Sequence, residues 1–215
     1  ILSVFAIGAM LSSCTNNGNR TITTDAKEVV INTAETAEIF NVINNESYIS
    51  WRASHLGGVQ QRYGSLNIKN AKILVSEQTL TNASFIIDMS TISVESFPEG
   101  AEEIAKLTGH LLSADFFNIE KYPTAKFEST KIEDSEGDYS SLITGNLTIL
   151  DVTKSITFSA NVSISNNSVS VKSEDFSIDR RDWGLSYNTE GTAGIPVDYL
   201  IANDIGFTID ITLTK

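Results

Sequence analysis

From Glu46 to Lys215, apolar and polar positions alternate with a period of two, the spacing of a strand buried on one face rather than the 3.6 of a helix. The last segment is the clearest: Ile205, Phe207, Ile209, Ile211 and Leu213 share one face, and Thr208, Asp210 and Thr212 share the other. The same test predicts strands over residues 48–53, 59–68, 80–87, 125–132, 141–150, 155–164, 169–178 and 205–213. Phe85, Ile87 and Met89 fall on one face of the third, Phe127 sits between charged neighbours in the fourth, and Ile156, Phe158, Ala160, Val162 and Ile164 share a side of the sixth. Asn166-Asn167 is a tight hairpin turn that sets Ile164 opposite Val169. One stretch breaks the rhythm. Over residues 98–113, Ala101, Ile104, Ala105, Leu107, Leu111 and Leu112 recur at helical spacing, with Glu102 and Glu103 in the first turn where the helix dipole favours acids.

Eight strands with one apolar face each must hide those faces and their edges, and a single helix is too narrow to cover them. Closure is the economical solution. The expected fold is therefore all-β, an eight-stranded antiparallel barrel with one helix packed at an end, a size that leaves room for one small ligand.

Ahead of this domain the pattern changes twice. Residues 1–11 form an uncharged apolar run too short to cross a bilayer but suited to the core of an export signal. The run ends in Leu11-Ser12-Ser13-Cys14, which looks like a bacterial lipobox with Cys14 as the acylated residue. Cys14 is the only cysteine of the chain, so it has no internal disulfide partner. Residues 15–45 are rich in Thr, Asn, Ala and Glu and read as a tether, with Val29-Val30-Ile31 and Ile39-Phe40 as weak apolar clusters able to add a short strand. The expected organisation is a lipoprotein signal segment over 1–14, a tether over 15–45 and a barrel domain over 46–215. The protein is then exported and held by several acyl chains in a bacterial cell envelope, facing the periplasm or the cell surface.

Charge narrows the partners. The formal net charge is −12 and the fifteen Lys and Arg are scattered, which argues against nucleic acid. Enzyme readings find no foothold: the sequence has no Gly-x-Ser-x-Gly elbow, no phosphate-cradling glycine loop and no His-Glu-x-x-His. His55 and His110 have no cysteine or carboxylate at ligand spacing, so no metal is assigned to them. Asp134-Ser135-Glu136-Gly137-Asp138 has the acids of a calcium loop without its downstream Glu and reads as a solvated hairpin turn. No catalytic residue and no cofactor are expected.

A series of motifs remains: His110-Leu111-Leu112-Ser113-Ala114-Asp115-Phe116-Phe117, then Tyr122-Pro123-Thr124-Ala125-Lys126-Phe127, Gly145-Asn146-Leu147-Thr148-Ile149, Val152-Thr153-Lys154-Ser155-Ile156-Thr157-Phe158, and Phe176-Ser177-Ile178-Asp179-Arg180 with Trp183-Gly184. In this order and spacing they resemble the signature of the YceI-like proteins, and the resemblance runs from Tyr48 to the C-terminus. It implies a lipocalin-like barrel around a long apolar pore, a bound isoprenoid lipid such as a quinone or polyprenyl chain, no catalytic activity, and pairing of barrels as homodimers. The chain departs from that pattern at the compact Ser54-His55-Leu56-Gly57-Gly58 and over residues 195–200.

On this reading Phe85, Ile87, Phe116, Phe117, Phe127, Leu147, Ile149, Phe158, Phe176, Ile178, Trp183 and Phe207 line a tunnel for an isoprenoid tail, with affinity from burial at ~0.8 kcal/mol per methylene. Period-two alternation alone is met equally by a solid core. The protein would then be a non-catalytic envelope scaffold for interaction or stress response. Asp115-Phe116-Phe117 sets two aromatics over one end of the barrel as a plug or a gate, and Asp179-Arg180-Arg181-Asp182 is read as an ion-pair cluster fixing a strand end before Trp183.

Overall fold

Each alternating segment forms a strand, and the strands close into a ring. The computed structural model describes residues 18–30, 37–43 and 47–215; Cys14 and the apolar run before it lie outside them. The N-terminal part supplies four short strands, β1 (Asn19–Arg20), β2 (Thr24–Asp25), β3 (Glu38–Phe40) and β4 (Val42–Ile43). Next come β5 (Tyr48–Ala53), β6 (Arg62–Ser76), β7 (Thr79–Asp88), helix α1 (Glu102–Leu112), β8 (Thr124–Asp134) and β9 (Ser141–Ile149). The chain finishes with β10 (Val152–Ile164), β11 (Ser168–Ser173), β12 (Phe176–Asp179) and β13 (Asp204–Thr214).

The ring runs β5, β6, β7, β8, β9, β10, β11, β13 and back to β5, with every pairing antiparallel. Closure is made by β5, whose Ile49 stands opposite Leu66 of β6 and Ile209 of β13. The result is a lipocalin-like eight-stranded barrel with, among the described residues, one α-helix. Its inward faces hold the core, and α1 adds Leu111, with Ile104, Leu107 and Leu112 half-buried behind it. The Asn-Asn hairpin sets Ile164 against Val169, with Ser165 and Ser168 closing the turn at 2.8 Å.

Three elements depart most from the sequence expectation. The strand expected over 59–68 starts at Arg62 and runs on to Ser76. Gly57 and Gly58 take positive φ and the His55 amide donates to the Val59 carbonyl at 2.9 Å, so the chain turns there and leaves Val59 exposed. Past Ile68 a bulge shifts the register, and Ala71, Ile73 and Val75 continue the buried face. The strand expected over 169–178 is two strands: Glu174 turns toward β10, its amide donating to the Ser159 carbonyl and its carboxylate accepting the Ser159 amide at 2.8 Å. The helix expected over 98–113 is Glu102–Leu112, ended by Ser113, whose amide and hydroxyl both donate to the His110 carbonyl.

Within the stretch read as a tether, the short strands β1 to β4 dock on the barrel. β1 pairs parallel with β12, β2 antiparallel with β10, β3 with β6 and β4 with β13. Phe40 is fully buried there, with the Lys215 ammonium 5.3 Å from its ring centroid.

Candidate ligand-binding site

Inward alternation on neighbouring strands brings phenylalanines from five strands into one row. Phe85 of β7 stacks on Phe127 of β8 at 5.0 Å, Phe127 meets Phe158 of β10 at 5.5 Å, Phe158 stacks on Phe176 of β12 at 4.9 Å, and Phe176 meets Phe207 of β13 at 6.0 Å. These separations are those of favourable aromatic pairs. β9 lies between β8 and β10 and contributes Gly145, over which the Phe127 ring passes.

Among the described residues, three cavities with apolar exposed walls follow the barrel interior, Arg180 being the one charged residue that lines them. A central one of about 50 Å³ is lined by Ile49, Leu66, Phe85, Ile87, Met89, Phe117, Ala125, Leu147, Ile149, Ile156, Phe176, Phe207 and Ile209. One of about 50 Å³ toward the helix shares Leu66, Phe117 and Phe207 with it and adds Trp51, Leu111, Phe116 and Ile205 among others. One of about 10 Å³ toward the hairpins shares Phe85 and Ile209 with the centre and adds Phe127, Phe158 and Ile143 among others. The interior is thus a chain of small hollows partitioned by side chains, far below the about 300–1,000 Å³ of a formed ligand pocket. Space of this kind costs stability, by about 24 cal/mol per Å³.

Most of the sequence-predicted residues lie on these walls: Phe85, Ile87, Phe117, Leu147, Ile149, Phe176 and Phe207 at the centre, Phe116 toward the helix, Phe127 and Phe158 toward the hairpins. Ile178 and Trp183 are fully buried but line none of the three. The Trp183 indole instead donates to the Leu147 carbonyl at 3.0 Å.

The expected ion-pair cluster at 179–182 divides in two. Arg181 and Arg20 grip Asp179. Burial raises the Asp179 carboxyl, but the Arg181 hydrogen bonds and the charges of Arg20 and Arg181 outweigh it and bring it down to about 2. Arg180 turns inward, 1% exposed, and donates to the carbonyls of Ala202 (3.0 Å), Leu185 (2.7 Å), Tyr187 (3.0 Å) and Ile201 (3.2 Å). Burial lowers its guanidinium to about 10, with Asp179 opposing. Its work is to hold the 185–202 excursion over the helix end.

The two histidines have separate surroundings. His55 Nδ1 lies 2.6 Å from the Asp198 carbonyl; His110 Nε2 lies 3.1 Å from Asp115, with Phe116 and Tyr187 edge-on to its ring. Among the described residues, no group of three or more His, Cys, Asp or Glu is placed to hold a metal ion.

The YceI-like domain model matches residues 40–213. The chain belongs to the YceI-like family. A UPF0312 protein of Pseudomonas aeruginosa is 36% identical over 114 residues, covering 53% of this chain and 55% of the relative. One of Pseudomonas putida is 32% identical over the same length and shares. The chain spans about half the length of the curated relatives it matches. Among solved structures, BcnA of Burkholderia cenocepacia aligns with a TM-score of 0.58 at 17% identity, covering 79% of this chain and 97% of that one. A polyisoprenoid binding domain from Saccharophagus degradans aligns with a TM-score of 0.57 at 13% identity, covering 82% and 99%. At these identities the likeness establishes the fold.

Sequence reasoning favoured aromatics and so passed over aliphatic wall residues of this YceI-like barrel: Ile49, Leu66, Ile156 and Ile209 at the centre, Ile143 and Ile211 toward the hairpins. Their signal was present, since each sits on the apolar face of an alternating segment. The same alternation could not distinguish a wall residue from a packed one such as Ile178.

Proposed function

We propose that this protein binds a single apolar lipid chain of isoprenoid type inside the barrel, and carries or stores it in the cell envelope while tethered by acyl chains on Cys14. The observation that carries the reading is the chain of cavities with apolar exposed walls, running from the helix end, where Arg180 is the one charged lining residue, to the hairpin end. Natural interiors are close-packed, and a row of adjacent hollows is unusual unless something fills it. The partitions are side chains on rotatable bonds, and an entering chain displaces them while burying its own surface at ~0.8 kcal/mol per methylene. The fold neighbour from Saccharophagus degradans, whose name states polyisoprenoid binding, supports the same ligand class.

The smallness of the hollows favours a second reading, a rigid non-catalytic envelope scaffold with a filled core. Mass spectrometry of an organic extract from gently purified protein, with titration by farnesol and a longer polyprenol, separates the two. A copurifying isoprenoid or saturable binding is the expected result; an extract free of lipid together with no binding of either alcohol would leave the scaffold.

A further inference from the structure

The barrel wall contains a stretch that the ring strands do not build alone. β10 and β11 pair from Ala160–Ser173 to Ile164–Val169, but toward the helix end β10 and β12 part, and residues 18–27 fill the opening. The Asn19 amide donates to the Asp175 carbonyl at 3.1 Å and the Thr21 amide to the Ser177 carbonyl at 2.8 Å. On the opposite edge Thr24 faces Ser155 and Asp25 faces Lys154. The Thr21 hydroxyl spans the seam, accepting the Thr157 amide at 3.1 Å and donating to the Thr157 carbonyl at 2.5 Å.

This docking is specific. The buried Asn146 side chain clamps the backbone of Lys27, accepting its amide at 2.9 Å and donating to its carbonyl at 2.7 Å. Gly18 has a φ of +82°, and a Cβ there would stand 2.5 Å from the Asp175 backbone, so only glycine lets the strap seat against β12. Arg20 latches the strap to Asp179 and, at 3.3 Å, to Asp204.

The docking is also shallow. β1 and β2 are two residues each, and Ile22 between them is 82% exposed. The barrel ends are far more firmly plugged: Phe40, Val169 and Leu213 are fully buried at the hairpin end, and Trp183 and Arg180 with its four carbonyl bonds seal the helix end. A cleft of about 340 Å³ runs between the strap and Ser155, Thr157, Glu174 and Phe176. Phe176 also lines the central apolar cavity, so the same ring forms part of both walls.

We propose that the seam between β10 and β12 is the lateral entrance to the apolar interior and that residues 18–27 are its removable strap; this rests on the lipid-binding reading above. With the strap lifted, rotation of Phe176 joins the cleft to the central cavity. An apolar chain then enters sideways, without unpacking either end. Redocking of the strap re-satisfies the exposed strand edges and closes the wall behind it.

The test locks the strap. Asp25 and Lys154 stand directly opposite each other in the antiparallel β2–β10 pair, where Cα separations of about 4.5–5.5 Å suit a disulfide in an Asp25→Cys/Lys154→Cys variant built on a Cys14→Ala background. Uptake of anthraniloyl-farnesol is followed by stopped-flow fluorescence once mass spectrometry shows the bond. The oxidised form is expected to take up the probe at least tenfold more slowly than the reduced form, with equal affinity at equilibrium. Gly18→Val, whose strap cannot seat, is expected to be several-fold faster than the unmutated protein. Equal rates for oxidised and reduced protein, or an unchanged rate for Gly18→Val, would overturn the entrance and leave lipid binding intact. Failure of the unmutated protein to bind the probe at all would overturn both.

Discussion

The ring of Phe127 lies across the backbone of Gly145: a Cβ at position 145 would stand 2.3 Å from the ring's Cζ and 2.6 Å from the Glu128 carbonyl oxygen. That gap in the β9 side-chain layer lets Phe127 reach Phe158 on β10 and keeps the row of rings continuous. Gly145→Ala is expected to cost about 1–3 kcal/mol, the range for overpacking a core. Urea denaturation measures it, and an unchanged midpoint would mean that the ring has room to move aside.

Phe85 lines both the central cavity and the one toward the hairpins. Phe85→Ala should merge them, lowering stability by about 3–5 kcal/mol while tightening binding of the longer of two polyprenol probes. Loss of stability with no gain in affinity would assign the residue to packing alone.

Trp183 is a test of the opposite kind. Trp183→Phe removes the indole donor and leaves the Leu147 carbonyl short of a partner in a buried setting, at an expected cost of about 1–3 kcal/mol. Because Trp183 lines none of the cavities, probe affinity in the folded variant should match the unmutated protein; weakened binding at full folding would return it to the site.

Acid should loosen the Asp179 junction. Its folded value of about 2 lies below the ordinary 3.8, so the stabilisation is complete above about pH 4 and is lost as pH falls through about 2. The amount is on the order of 2 kcal/mol. Asp204, raised chiefly by burial, has the opposite sign, since protonating it relieves a cost of the folded state. Denaturation midpoints between pH 6 and 2 should fall less steeply below pH 4 in Asp179→Asn, and parallel curves would contradict this assignment.

Cys14→Ala is expected to shift the expressed protein from the membrane fraction to the soluble fraction, read by fractionation and immunoblot. Retention in membranes after the change would remove the acyl-anchor reading without touching the barrel.

The part of this molecule that sequence alone determined is its inward face. A strand side chain's direction depends on its parity in the chain, whichever partner it meets, so Ile143, Leu147, Ile156, Phe158 and Ile209 were destined for the interior before any pairing was known. Counting such segments and requiring their edges to be covered was enough to reach a closed barrel. The split of 169–178 was invisible because Glu174 turns to meet Ser159, fifteen residues back in the chain.

Tertiary structure decided the rest. Asn19-Arg20 and Thr24-Asp25 are too short and polar to carry a period, and their partners, Phe176-Ser177 and Lys154-Ser155, are more than a hundred residues away. Arg180 and Arg181 are chemically identical neighbours; only the end of β12 fixes which one enters the core and which one meets Asp179. The hollows likewise have no address in the sequence, because their size is the difference between the volume a ring of eight strands encloses and the volume its side chains fill, and that difference exists only once all the strands are in place.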